Sequence, residues 1–404
     1  MKSSIYYLKE CNGFSRISRF FLFLTLLSVI VDPTNQILRI KDLSFFAFIL
    51  CSIKECNFKE ILKYLSFIVI YFISYSFQLL FPSCYVDFGT AMSVLKAFIY
   101  LSIIFWMGKN QELQVFKWFF YINFFVALFC LVIWTLIMMI PSLEMPLYLY
   151  FMRNENYTVI ISHRSFIGIK IFGVFYKTCV FSVVCLAYSV YQFFMNKRKI
   201  YIVFCIVFFL YLLASGTRAN MLSSILIVGG VYSYYLYKRR KFAMLSFVLC
   251  VGGACSLFLI LKLLSDTGES SIAIKSLHKE SYWDLFTSNC MRYLLIGDGP
   301  GSTFYSKGRQ EMVLVTELSY YELIRNYGFI FTLIIIILFL DPLINIYNRY
   351  KKGLFFPIML SYFAYLFIAG TNPYLIGSTG FTTLAIMYYI GNHNIDMEMN
   401  RDKK

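Results

Sequence analysis

The feature that most constrains this chain is the length of its apolar runs. Residues 116–140, FKWFFYINFFVALFCLVIWTLIMMI, hold one charge, Lys117, near their start. That exceeds the roughly 20 residues a helix needs to cross a hydrocarbon core. Comparable runs recur at about 17–31, 38–53, 61–81, 91–107, 171–195, 200–214, 219–237, 242–261, 328–347, 353–369 and 379–391. The first, second and last are short, and Lys41 and Asp42 interrupt the second. The 404 residues are 59 % hydrophobic and 14 % charged, against roughly 45–50 % and about 25 % in soluble proteins. The expected fold class is all-α, a polytopic integral membrane protein with about 12 transmembrane helices in one domain over 1–404. Trp106, Trp118 and Trp134 lie near span ends, where interfacial aromatics collect. No short apolar core followed by a small-residue cleavage site marks a signal peptide, so the first span is expected to be retained.

The formal net charge is +16. In a soluble chain that would suggest nucleic acid; in this one it reports orientation. With both termini on one side, that side collects Lys2, Lys9, Arg16 and Arg19, then Lys197, Arg198 and Lys199, then Lys238, Arg239, Arg240 and Lys241. Short loops on the other side carry Arg39, Lys41 and Arg218. Lys and Arg concentrate in cytoplasmic loops, so the termini are expected in the cytoplasm. Two long loops, 141–170 and 262–327, then face out. No nucleic-acid partner is expected.

Eleven cysteines suggest a framework only until they are placed. Most fall inside spans, where a free thiol acts as a small hydrophobe; Cys84 and Cys290 fall on the outer side and are free to pair or not. The histidines, His163, His278 and His393, are far apart, so no protein-built metal site is expected. No Walker-type phosphate loop is present, which argues against an ATP-driven pump.

Loops longer than about 12–15 residues are usually functional or disordered. The first outer loop holds Arg153, His163, Arg164 and Lys170; the second holds Arg292, Arg325, Glu317 and Glu322 among other charges. Between two expected helices lies LLASGTRANML, residues 212–222. Arg218 there either snorkels to the interface or serves a site, since an ionisable group at membrane depth is costly. Its planar fork suits a diphosphate. Near the end of the second loop come IGDGPGSTFY (296–305) and TELSYYELIRNYGFIF (316–331). The glycines there lack a surrounding βαβ unit, so they are not a dinucleotide fingerprint. Glu317, at the mouth of the helix that follows, is either a cap favoured by the helix dipole or a general base.

In order, SGTRANML, a long outer loop, G-D-G-P-G and a helix reaching Gly328 resemble the O-antigen polymerase and O-antigen ligase superfamily of bacterial inner-membrane enzymes. AGTNPYLIGSTG, residues 369–380, is similar to the outer turn before the last span of such polymerases. Members share S-G-[ST]-R-[AG], and in ligases a later helix carries a pattern like H-N-x-Y-L-x-x-L-x-E-x-G. Here Glu317 stands at the ligase His position, with Tyr320 and Ile324 at its aromatic and apolar positions, which favours a polymerase. The resemblance implies undecaprenyl-diphosphate-linked oligosaccharide repeats as substrates on the periplasmic face, membrane lipid around them, a chain-length regulator protein as partner, and no cofactor. It implies Arg218 as the cation on the leaving diphosphate and Glu317 as the base. Arg164, Arg292, Arg153, Glu322 and Tyr320 are the expected substrate-binding residues. The alternatives are the ligase, a lipid-linked oligosaccharide flippase, which would show similar halves and short loops, and a non-catalytic receptor or sensor.

Overall fold

The computed structural model describes residues 16–399 apart from 36–37, 83, 109–112, 154–158, 167–168, 266–269 and 352. Its helices follow the apolar runs. They are α1 (Arg16–Val31), α2 (Lys41–Ser52), α3 (Ile61–Leu80), α4 (Phe88–Leu101, prolonged as a 3-10 turn to Trp106) and α5 (Val115–Met139). After a short α6 (Glu144–Arg153) and a hairpin of β1 (Val159–Phe166) and β2 (Ile169–Tyr176) come α7 (Ser182–Asn196), α8 (Tyr201–Ala214), α9 (Arg218–Lys238) and α10 (Phe242–Ser265). The second long loop folds as α11 (Ser270–Ser288), α12 (Cys290–Leu295), β3 (Phe304–Ser306) and β4 (Glu311–Val313). The chain then runs through α13 (Ser319–Leu340), α14 (Pro342–Tyr350), α15 (Phe355–Gly370), α16 (Ser378–Asn392) and α17 (Ile395–Met399).

Among the described residues six helices are long and apolar enough to cross a membrane: Phe58–Leu80, Phe88–Trp106, Val115–Met139, Cys179–Asn196, Arg218–Lys238 and Ser319–Tyr350. Tyr201–Ala214, Phe242–Ala254 and Phe355–Gly370 are shorter apolar helices. The chain is thus a helical membrane protein. The expected sixth span, 171–195, differs: its first residues form β2, and helix begins only near Cys179. Isoleucine, valine and phenylalanine crowd the preceding turn of a helix but fit a pleated strand. β1 and β2 pair antiparallel along their full length.

The helices bring turns together at two opposite ends. At one end Ser18 Oγ donates to the Cys51 carbonyl at 3.0 Å, Lys63 Nζ lies 2.6 Å from Asp341 Oδ2, and the Lys117 amide donates to Glu398 Oε1 at 2.8 Å. The start of α1 and the final helix α17 therefore share that end. At the other end Ser319 Oγ donates to the Asn372 carbonyl at 2.6 Å, and the Thr303 amide donates to Tyr85 O at 2.9 Å. There too Phe175 stacks on Tyr374 with ring centres 6.4 Å apart. Both long loops and the 212–222 turn gather at this second end, called the loop end below.

Candidate functional site at the loop end

The loop end is organised around Arg325, a fully buried guanidinium one turn beyond Glu322 on α13. An unpaired charge there would be untenable, and every face of this one is used. Nε and Nη2 donate to Glu322 Oε2 at 3.0 and 2.7 Å; Nη1 donates to the Ser302 carbonyl at 2.7 Å; Nη2 also donates to Leu314 O at 2.8 Å. The Phe304 ring lies 4.8 Å from its carbon centre. Glu322 accepts in turn from the Thr316 amide at 2.8 Å and from the Tyr282 hydroxyl of α11. Burial, with the Glu322 carboxylate next in effect, pushes the Tyr282 hydroxyl far up, so it remains a donor. One ion pair thus fastens α11, β3 and the strand after it to the top of α13.

Residues 297–301 make a second fastening. The Asp298 amide donates to Arg325 O at 2.7 Å, the Gly299 amide to Asn326 O at 2.9 Å, and the Asp87 amide to Gly301 O at 2.8 Å. The turn thereby touches α13 and the start of α4 at once. Gly297 (φ +78) must be glycine, because a Cβ would stand 2.5 Å from the Arg325 carbonyl oxygen. Gly328 matches it from the other side: at φ 75 and ψ 165 it breaks the helical path of α13, and a Cβ there would meet Ile296 N at 2.6 Å. Arg292 Nε lies 2.8 Å from Asp298 Oδ1, and Nη1 donates to Phe81 O at 3.1 Å. Arg292 also binds Gln78 and sits over the Phe77 ring. Arg292 and Glu322 thus each pair within the frame.

The turn between α8 and α9 is different. Ser215, Gly216 and Thr217 are buried, and Gly216 has φ 65. Ser215 Oγ donates to Leu212 O at 2.7 Å and accepts from Asn220 Nδ2 at 3.0 Å, which fixes the turn from inside. Gly173 of β2 backs it so closely that a Cβ there would lie 3.0 Å from Gly216 Cα. Arg218 opens α9 as its first residue, half-buried, directly after this rigid turn. Helices α9 and α15 run antiparallel: Tyr234 OH donates to Gly353 O at 3.2 Å, and Gly230 abuts Leu360. Equal numbers of residues from that crossing lead to Arg218 on one helix and to Asn372 on the other. The Arg218 turn and the 369–380 turn therefore stand at one level.

Glu317 lies just before α13 at the same level. Its side chain is 55 % exposed, and its Oε2 is 2.9 Å from Lys275 Nζ on α11. Lys275 Nζ also donates to Thr371 O at 3.4 Å, so the pair rests on the 369–380 turn. Next along α11, His278 Nδ1 shares a 2.7 Å hydrogen bond with Ser306 Oγ. Burial, and then the nearby Arg309 charge, holds His278 below the ordinary histidine value. Tyr320, half-buried, donates to Leu366 O at 2.9 Å and lies against Gly370. Arg153 ends α6, and Arg164 lies in β1 opposite Ile171; their side chains are outside the described residues. Cys84 and Cys290 are not joined by a disulfide. Among the described residues no group of three His, Cys, Asp or Glu side chains is placed to hold a metal ion.

Sequence reading missed two participants. Lys275 looked like one charge among many in a long loop, and its only signal is its place one helical turn before His278. Arg325 was invisible as a core residue; its signal is Glu322 three positions earlier. The chain matches no protein-family model, no curated protein and no solved structure.

Proposed function

We propose that this chain is a membrane glycosyltransferase of the O-antigen polymerase kind. It joins undecaprenyl-diphosphate-linked oligosaccharide repeats at the outer face of a bacterial inner membrane, with twelve crossings and both termini in the cytoplasm. The observation that carries the reading is a convergence: the rigid turn presenting Arg218, the 369–380 turn and the exposed Glu317–Lys275 pair meet at one end of a helical membrane bundle. The motif order SGTRANML, G-D-G-P-G and AGTNPYLIGSTG supports it.

In this reading an acceptor sugar hydroxyl attacks the anomeric carbon of the donor chain. The new C–O bond forms as the bond from that carbon to the diphosphate oxygen breaks, and the electron pair leaves with the lipid diphosphate. Arg218 stabilises the charge developing there through charge-assisted hydrogen bonds. Glu317 takes the hydroxyl proton, and Lys275 holds its carboxylate in position. Arg292, Glu322 and Arg325 keep the frame in shape, and Tyr320 seats the α13 mouth against α15. The first outer loop, with Arg153 and Arg164, contacts the sugar repeats, and a chain-length regulator protein sets where growth stops.

The test is genetic. In cells that build lipopolysaccharide with this protein as their source of chain growth, its deletion is expected to leave single repeats on the core and remove the long ladder on a gel. A bare core with no repeat would contradict the proposal and point to a flippase or a ligase.

A further inference from the structure

The turns that follow α7 and α9 are built alike and stand side by side. Phe194, two residues before the end of α7, packs on Tyr232 and Tyr235 of α9, with ring centres 5.0 and 5.6 Å apart. The two helices therefore end at one level. That level lies at the end of the bundle holding α17, the terminal end, because Tyr188 OH of α7 donates to Asp396 Oδ1 at 3.1 Å. Both helices belong to segments long and apolar enough to cross a membrane, Cys179–Asn196 and Arg218–Lys238. Both give way at once to cations: Lys197, Arg198 and Lys199 after α7, and Lys238, Arg239, Arg240 and Lys241 where α9 stops.

Each turn puts a cation where glycine is the ordinary choice. Lys197 and Arg240 both hold left-handed backbone at φ 54, a position just past a helix that glycine fills at least cost. Strain of this kind persists only where the surroundings hold it, and here the backbone does. The amides of Lys197 and Arg198 both donate to Gln192 O. Those of Arg240 and Lys241 donate to Tyr237 O and Leu236 O, each at 3.0 Å. Two side chains are also held: Lys238 Nζ lies 5.4 Å from the centre of the Tyr234 ring, and the Arg239 guanidinium 5.7 Å from that of Tyr235.

Lys197, Lys199, Lys238, Arg239, Arg240 and Lys241 are all exposed, and from 156 to 265 the chain holds no Asp or Glu. Asp396 comes to this end from α17, half-buried against Tyr188 and Gln192, with the Arg198 charge acting on it. Setting Asp396 against Arg198 leaves six like charges in two adjoining turns, which repel one another and favour an anionic counterpart. The residues that follow are apolar and exposed, Ile200, Ile202 and Val203 after one turn and Phe242 and Met244 after the other. The cations thus stand where hydrocarbon meets water. We infer that these two turns bind the phosphate headgroups of anionic phospholipids at the terminal face of the membrane. Lys199, Arg240 and Lys241 contact phosphate, Lys238 and Arg239 reach it from their tyrosine rings, and the starts of α8 and α10 lie beside the acyl chains. This binding needs no glycosyl transfer.

The test is lipid retention by the full-length protein in detergent, read by native mass spectrometry with no sugar substrate present. Phosphatidylglycerol is the probe, phosphatidylcholine the zwitterionic control and glycerol phosphate the soluble competitor. Phosphatidylglycerol is expected to be retained preferentially. Lys199→Gln and Lys241→Gln are each expected to weaken its retention about fivefold, the scale of one basic residue near an anionic surface. Lys279→Gln removes the same charge from α11 at the loop end, where Lys279 is exposed, and is expected to leave retention unchanged. Arg240→Gly is expected to weaken retention while leaving the melting temperature nearly unchanged, because glycine fills the left-handed position without strain. Equal retention of the two lipids, equal retention of phosphatidylglycerol by all the variants, or a matching loss in Lys279→Gln would overturn the inference. So would a loss in Arg240→Gly accompanied by a lower melting temperature. Displacement by glycerol phosphate at lipid-like concentrations would overturn the lipid as the source of the phosphate.

Discussion

At the scale of single residues, Arg325 is fully buried and Glu317 is the proposed base. Removing one partner of a buried ion pair strands the other, at about 3–5 kcal/mol. Arg325→Met is therefore expected to destabilise the protein by about that much, read as a large drop in its melting temperature in detergent. The double change Glu322→Leu with Arg325→Met is expected to recover only part of the loss, because no charge is left without its partner but the Ser302 and Leu314 carbonyls and the Thr316 amide lose theirs. Glu317 behaves oppositely. It is half-exposed and paired with Lys275, so Glu317→Ala should leave the melting temperature nearly unchanged. Its expected cost is in chain growth, about 10²–10⁴-fold. Arg218→Ala should do the same, and Lys275→Met should slow growth less while altering its pH profile. Normal growth by Glu317→Ala would reduce that residue to a helix cap.

At the scale of elements, the decisive join is between the 297–301 turn and the bend in α13. Gly328 occupies backbone that only glycine adopts at little cost. Gly328→Ala is expected to cost about 1–3 kcal/mol from strain alone, before the contact with Ile296, and hydrogen exchange should quicken in α12 and the top of α13. The seat of α11 is pH-sensitive. His278 is held below the ordinary value of 6.5 by burial first and Arg309 second, with Lys275 adding to this and Glu317 and Glu322 opposing it. Its folded value lies below the unfolded one, so its contribution is complete above about pH 6.5 and is lost as pH falls through the folded value. Protection of α11 amides should therefore weaken on acidification, and His278→Gln should flatten that change. Equal pH dependence in both proteins would remove His278 from the account.

The elements also show what the sequence could and could not reveal. Apolar length located the long apolar helices, because a helix satisfies its own backbone in hydrocarbon. It failed at β2, where IKIFGVFY continues the apolar run and differs from helix only in its branched and aromatic content and Gly173. Arg218 and the 369–380 turn were legible from small polar residues between apolar helices. The partner of Glu317 was not, since Lys275 lies far away in sequence and only the folding of α11 onto α13 brings it there. Sequence shows charge but not burial, so the pairing of Arg292 with Asp298 and of Glu322 with Arg325 was not legible.

At the scale of the whole molecule, the chain gathers different elements at its two ends. The terminal end gathers α1, α17 and pairs such as Lys63 with Asp341. The loop end gathers the hairpin, the second long loop and the two short turns around Arg218 and Asn372. That polarity is what the proposed enzyme needs, drawing lipid-borne sugar from within the membrane and releasing a longer chain on one face. The most direct test places the purified protein in liposomes with a defined undecaprenyl-diphosphate-linked repeat and resolves the products by size. The account predicts a ladder spaced by one repeat, with free lipid diphosphate released in step, and no ladder from Arg218→Ala or Glu317→Ala. Repeats that stay single, or cross the bilayer without joining, would contradict it.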